Sequence, residues 1–222
     1  SDVCSSDLPK KWTGWLQAHG IKVAHVVSGT VFAEKSEAAG VDALVAEGFE
    51  AGGHNGRDET TTMALIPAVR AKTNLPLLAA GGIASGKAML AAMILGADGV
   101  QVGSRFALSE ESSAHDAFKQ RVCQTGEGDT QLVLKKLAPV RLIKNDFFSQ
   151  VLAAEDRGAS REELDQLLGR GRAKKGIFEG DLKEGELEIG QVSAMIDEVL
   201  PVKIILRQFL NEYEAARKGV GE

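Results

Sequence analysis

The stretch "LLAAGGIASGKAMLAAMILGADGVQVGSRF" (residues 77–106) holds two apolar runs, each leaving through glycine, with a helical segment between them. "LPLLAAGGI" (75–83) reads as a strand running into a Gly-Gly turn, since a short apolar run bounded by turn residues suits a buried strand. "SGKAMLAAMILG" (85–96) follows as a helix with a serine N-cap and a glycine stop. "GVQVGSRF" (99–106) is then a second strand ending in another glycine turn. Strand, helix and strand within about 30 residues form the unit from which parallel sheets are built.

Upstream the same rhythm repeats. "IKVAHVV" (21–27) reads as a strand, "TVFAEKSEAAG" (30–40) as a helix, "DALVAEG" (42–48) as a strand and "TTMALIPAVRAKT" (61–73) as a helix. Four strands joined by helices predict an α/β fold with a parallel sheet. Beyond Ala107 the rhythm stops. Residues 109–119 and 127–151 read as helical, "SREELDQLLGRGRAKKG" (160–176) opens on a capping-box pattern, and "FEGDLKEGELEIG" (178–190) reads as an acidic loop. Two helices close the chain, "QVSAMIDEVL" and "PVKIILRQFLNEYEAARK". The opening "SDVCSSDL" fits neither periodicity and reads as a non-native or disordered segment. The expected division is therefore residues 1–8 as that segment, 9–125 as the βα region and 126–222 as a helical extension packed on it.

Composition excludes several functions. The net charge of −5 over 222 residues leaves no electrostatic footprint for nucleic acid and no polybasic membrane patch, so a small or acyl-type ligand is expected. Cys4 and Cys123 form neither a disulfide framework nor a zinc spacing, which points to a reducing, cytoplasmic setting. No run approaches about 18 apolar residues, so no membrane span is expected.

The two glycine turns carry the first chemical signal. In a (β/α)8 barrel, phosphate is held by the loops after the last two strands. Gly81, Gly82 and Gly103 permit positive φ and let backbone N–H groups approach a phosphate with no Cβ in the way. The helix beginning near Ser85 is expected to aim its unpaired N–H groups at the same spot. Tight turn-making alone is the bland explanation for either turn. The second signal is "GFEAGGHNGRDETTT" (48–62), a glycine-rich strand exit with His54 at its centre. An imidazole there can take or give a proton near neutrality. His19, His25 and His115 read as structural. Glu50 reads either as an acceptor for loop N–H groups or as a solvated charge, and residues 58–61 read as the cap of the next helix.

Together "EGFEAGGHNG" (47–56), "LLAAGGIASG" (77–86), "GADGVQVGSRF" (96–106) and "SSAH" (112–115) resemble the nitronate monooxygenase family, formerly the 2-nitropropane dioxygenases, whose close relative is the FMN-containing type II enoyl-acyl-carrier-protein reductase. The resemblance runs from about Trp12 to the C-terminus. It implies an FMN-binding TIM barrel, here its C-terminal half of four parallel strands plus a helical tail. It further implies that Gly81 and Gly82 hold the flavin phosphate from one side, Gln101, Gly103 and Ser104 from the other, with Gly53 beside the cofactor and His54 near its reactive face. In the monooxygenase, O2 completes conversion of an alkyl nitronate to a carbonyl compound and nitrite. In the reductase, NAD(P)H supplies hydride for an enoyl thioester. Two departures stand out. Some family members carry a lysine where this chain has Val26, and family members have four further strands before the first one here. A half-barrel exposes strand edges and apolar surface, which favours association, such as a homodimer, and implies weak FMN affinity and little turnover for the isolated chain. The remaining alternatives are an inactive flavin- or phosphate-binding module and a flavin-free phosphate enzyme. The latter is disfavoured because no strand-end lysine or metal-ligand cluster is visible in the sequence.

Overall fold

The computed structural model describes residues 8–220. Seven of the eight residues set apart above lie outside the described residues, and the eighth, Leu8, opens the first helix. The βα rhythm is realised as α1 (Leu8–Ala18), β1 (Ala24–Val27), α2 (Thr30–Ala38), β2 (Ala43–Glu47), a two-residue β3 (Gly53–His54), α3 (Thr62–Arg70), β4 (Leu77–Ala80), α4 (Gly86–Ile94) and β5 (Gly99–Val100). Strands β1, β2, β4 and β5 form one parallel sheet in that order, with Val45 opposite Leu78 and Ala79 opposite Val100. Four consecutive βα units in one direction are the repeating element of a (β/α)8 barrel. The outer edges of β1 and β5 have no strand partner among the described residues.

The central strands β2 and β4 are buried along most of their length and give way to helices as soon as their apolar runs end, whereas the edge strand β1 leaves Ala24 and Val26 exposed. Leu44, Ala46, Leu77 and Ala79 are fully or almost fully buried, and α3 lays Leu65, Ile66 and Val69 onto them at helical spacing. Full burial of each leucine contributes about 1.5–3 kcal/mol. One expectation is corrected here. Only Gly99 and Val100 of residues 99–106 pair in the sheet, and the chain then turns at Gly103 into the short helix α5 (Ser104–Ala107).

The tail corrects the sequence reading more strongly. Residues 127–151, expected to be helical, contain an antiparallel hairpin, β6 (Thr130–Val133) and β7 (Val140–Ile143), before α7 (Asp146–Asp156) begins. This hairpin meets the βα region directly: β3 pairs with β7, His54 opposite Val140 and Gly53 opposite Arg141. Residues 109–115 are likewise not helical; α6 runs over Asp116–Cys123 with His115 as its N-cap, the ring Nδ1 accepting from Ala117 N at 3.1 Å. The capping box is realised at α8 (Arg161–Leu168), where Glu163 N donates to Ser160 Oγ and Ser160 N to Glu163 Oε2. "QVSAMIDEVL" supplies only a 3-10 turn over Gln191–Met195.

Helix α9 (Val202–Val220) closes the fold against α4. Ile205 and Phe209 join the core under the parallel sheet, and Phe209 stacks on Phe106 with centroids 6.3 Å apart. A second core lies between the hairpin, α7 and α8, built on Leu142, Phe147, Phe148 and Leu164. None of the described helices is long and apolar enough to cross a membrane.

Candidate active site at the strand exits

The exits of β2, β4 and β5 open on one side of the sheet and surround a cavity of about 250 Å³. Gly81 and Gly82 line it from the β4 exit, and Gln101, Gly103 and Ser104 from the β5 exit. Glu47, Glu50, Ala51 and Gly52 come from the β2 exit. The tail supplies the remaining wall through Ile177, Glu188, Ile189 and Val192. Five of the seven residues singled out in the sequence are thus brought together. Gly53 and His54 are not among the lining residues: Gly53 is buried against Glu188, and His54 is exposed beside it on β3.

Gly81 and Gly82 stand at φ +81° and +67°, conformations a side chain rarely adopts. A Cβ on Gly81 would sit 2.5 Å from the carbonyl oxygen of Gly48, so the β2 and β4 exits touch backbone to backbone. Around Gly103, by contrast, nothing lies within 4 Å of an added Cβ; its open side faces the cavity it lines. The backbone N–H groups of Gly81, Gly82, Gly103 and Ser104 find no acceptor among the described residues. Gly81, Gly82 and Ser104 are half-buried and Gly103 is exposed; shielded amides are normally paired, so unmatched donors grouped around one cavity are donors available to an anion. The helix end is largely engaged: Gly86 N donates to Glu212 Oε2 at 2.8 Å and Ala88 N to Ser85 Oγ at 3.2 Å. Of the first three N–H groups of α4, Lys87 N alone has no acceptor among the described residues, which narrows the expectation of unpaired N–H groups there to that one.

The glycine-rich exit of β2 is tied down at several points. Of the two readings of Glu50, the structure realises the acceptor of a backbone N–H and not the solvated charge. Its two carboxylate oxygens each accept from Thr62 N at 3.0 Å, and Oε2 also accepts from Thr62 Oγ1, which places the cap of α3 on a residue outside the 58–61 segment expected to provide it. Thr61, in the N-cap position, makes no side-chain bond to the helix. Arg141 on β7 donates through Nη2 and Nε to the carbonyl of Phe49 and lies over the Phe49 ring. Gln191 N reaches Glu50 O at 2.9 Å, and Gly190 N reaches Ser104 Oγ at 3.0 Å, so the tail bridges the β2 and β5 exits.

The lining contains three carboxylates and no basic side chain. Burial pushes the Glu47 carboxyl up to about 6. Burial also raises Glu188, while the nearby charge of His54 draws it back. Glu186, two residues earlier on the same segment and almost fully buried, is pushed up to about 7 by burial and by Glu188, with Arg172 opposing. Glu47 and Glu188 went unnoticed in the sequence as site residues. The period-2 spacing of Glu186 and Glu188 about a buried Leu187 was the available signal for an extended, half-inward segment.

A parallel βα sheet whose strand exits meet over one cavity defines an α/β protein of the barrel class. Within it, the chain belongs to the nitronate monooxygenase family, whose family model matches residues 4–212. It is 34% identical over 176 residues to a Staphylococcus saprophyticus protein named probable nitronate monooxygenase, covering 72% of this chain and 49% of that protein. It is 43% identical over 119 residues to a nitronate monooxygenase of Pseudomonas aeruginosa, covering 50% of this chain and 34% of that one. Among solved structures, FabK from Thermotoga maritima matches with a TM-score of 0.89 and 37% identity over 96% of this chain and 67% of FabK. A nitroalkane oxidase from Streptomyces ansochromogenes matches with a TM-score of 0.77 and 28% identity over 95% of this chain and 62% of the oxidase. The chain spans half or less of the length of these two curated relatives.

Proposed function

We propose that this chain carries the flavin-phosphate site and the proton-handling histidine of an FMN-dependent oxidoreductase that oxidises alkyl nitronates with O2 to carbonyl compounds and nitrite. The observation that supports the reading most directly is the group of amides at Gly81, Gly82, Gly103 and Ser104 with no acceptor among the described residues, lining one cavity. Their chemistry fits a phosphate monoester, which needs several donors and tolerates no Cβ at close approach. In this reading these four residues hold the phosphate and Gln101 adds a side-chain contact. When bound, FMN supplies the two-electron oxidation of the substrate and the reaction with oxygen.

The protein's own part is electrostatic and geometric. With Glu47, Glu50 and Glu188 in the wall, an anion is stable only against the amide cluster, which fixes which end of the cofactor enters. The ionised carboxylates disfavour a second anion deep in the cavity, so an anionic substrate is held toward the rim, on the side of His54. There the imidazole polarises a nitronate, or accepts the α-proton of a neutral nitroalkane. The cavity is smaller than the roughly 300–1,000 Å³ of ordinary ligand pockets, which suits it to the phosphate end of the cofactor, with the ring side walled by further chain. We therefore read residues 9–125 as part of a barrel and 126–222 as the extension that closes its phosphate end.

A second reading, an NAD(P)H-dependent reductase of enoyl thioesters using the same FMN, draws support from the greater likeness to FabK than to the nitroalkane oxidase. Two measurements on the purified chain test these readings. Flavin-fluorescence quenching compares FMN with riboflavin, and a phosphate cradle requires at least about tenfold tighter FMN binding, given about 1.5–3 kcal/mol for each hydrogen bond to a charged group; equal affinities refute the cradle. Nitronate-dependent oxygen uptake without NADH supports the monooxygenase, and NADH oxidation driven by crotonyl thioester supports the reductase. Loss of either activity in His54→Ala with flavin retained supports the histidine's role, and unchanged activity refutes it.

A further inference from the structure

Strand β7 offers its free edge to two segments in succession. Gly53 and His54 pair with Arg141 and Val140, and Glu188 then pairs with Leu142, with Ile143 N donating to Leu187 O at 2.9 Å. Glu188 therefore follows Gly53 along one edge, and its carboxylate comes to rest over that glycine: a Cβ there would lie 2.8 Å from Glu188 Oε2. The same carboxylate lines the cavity, whereas His54 stands just outside it. Among the described residues no donor reaches the Glu188 carboxylate and no acceptor reaches the His54 ring. A half-buried carboxylate without a donor is costly, and the nearest basic group is the imidazole. The charge of the His54 imidazole already acts on the Glu188 carboxyl, and each group has its bonding capacity free for the other.

We propose that Glu188 is the positioning residue for His54: its carboxylate accepts a hydrogen bond from one ring N–H, which fixes the tautomer and leaves the other nitrogen toward the mouth of the cavity. A carboxylate behind an imidazole selects the tautomer because only one nitrogen can then carry the proton. The proposal rests on the reading of His54 as the proton-handling group. Charge on the surrounding elements is consistent with it. Burial raises the Glu188 carboxyl and the charge of His54 is what lowers it. The other titratable groups around the pair are Glu186 on the same segment, Arg172 opposing Glu186, Glu47 and Glu50 in the cavity wall, and Arg141 on β7, whose guanidinium is held by the Phe49 carbonyl. None of these, in its present place, bonds the ring.

The test is a two-bond 1H–15N spectrum of the histidine rings in the 222-residue chain, recorded at pH 8 without flavin, with His54 assigned by its loss in His54→Gln. One tautomer should dominate at His54 in the unsubstituted chain. In Glu188→Met, which keeps the size of the side chain and removes the acceptor, the two ring nitrogens should move toward an unbiased mixture. Glu188→Gln, which keeps an acceptor oxygen without the charge, should fall between them. Identical His54 signals in the unsubstituted chain and in Glu188→Met overturn the proposal; if the methionine variant does not fold, identical signals in Glu188→Gln do the same. Because the readout needs neither flavin nor turnover, it is distinct from the activity of His54→Ala, which tests the underlying function.

Discussion

Replacing Glu186 by glutamine should stabilise the protein above neutral pH and do almost nothing in acid. The carboxyl is 6% exposed and is shifted from an ordinary 4.5 to about 7, first by burial and then by the charge of Glu188. Its proton affinity is therefore higher in the folded chain than in the unfolded one. Between pH 4.5 and about 7 the folded state holds the extra proton, so stability falls as pH rises through that window and the full cost is present above it. At 1.36 kcal/mol for each pH unit, the cost amounts to about 3 kcal/mol. Glutamine keeps the shape and cannot ionise. Urea unfolding followed by far-ultraviolet circular dichroism should give nearly equal midpoints at pH 4.5 and a variant more stable by about 3 kcal/mol at pH 8. A stability difference that does not change between the two pH values, or a less stable variant at pH 8, refutes the claim that Glu186 is a buried and ionising carboxyl.

Three further substitutions test the site. Glu50→Gln should destabilise by about 1–2 kcal/mol in urea titrations, because it weakens the charge-assisted double acceptor on Thr62 N that caps α3 from outside. Gly81→Ala and Gly103→Ala should part company. The first forces a side chain to φ +81° and to 2.5 Å from Gly48 O, costing more than about 2 kcal/mol; the second meets nothing within 4 Å and should stay within about 0.5 kcal/mol while lowering FMN affinity about tenfold by projecting into the cavity.

The parallel sheet was legible because its strands are short apolar runs and three of them end in glycine punctuation: Gly48 after β2, Gly81 and Gly82 after β4, Gly103 after β5. Those same residues announced most of the cavity, since a glycine at a strand exit reports backbone geometry locally. What escaped was decided by partners far along the chain. "TQLVLKKLAPVRLI" spaces Leu132, Val133, Leu137 and Val140 compatibly with a helix, whereas the structure folds it as the β6–β7 hairpin, whose β7 also pairs with Gly53 and His54 more than eighty residues earlier. That Glu50 accepts a backbone N–H was one of its two readings, but its partner, Thr62, was hidden because it is 12 residues on and the intervening acids and threonines looked like better caps. "GELEIG" read only as part of an acidic loop, and the burial of Glu186 and half-burial of Glu188 follow from the tail packing against the βα region, which no local pattern encodes.

The bond from Gly190 N to Ser104 Oγ spans 86 residues of sequence. A growing chain emerging from the ribosome can pair its four parallel strands while the far wall of the cavity is still unsynthesised, and distant contacts of this kind close late because their loop entropy must be overcome first. The far wall can therefore form only after residues 177–192 are made, and any ligand that needs the completed enclosure is captured only then.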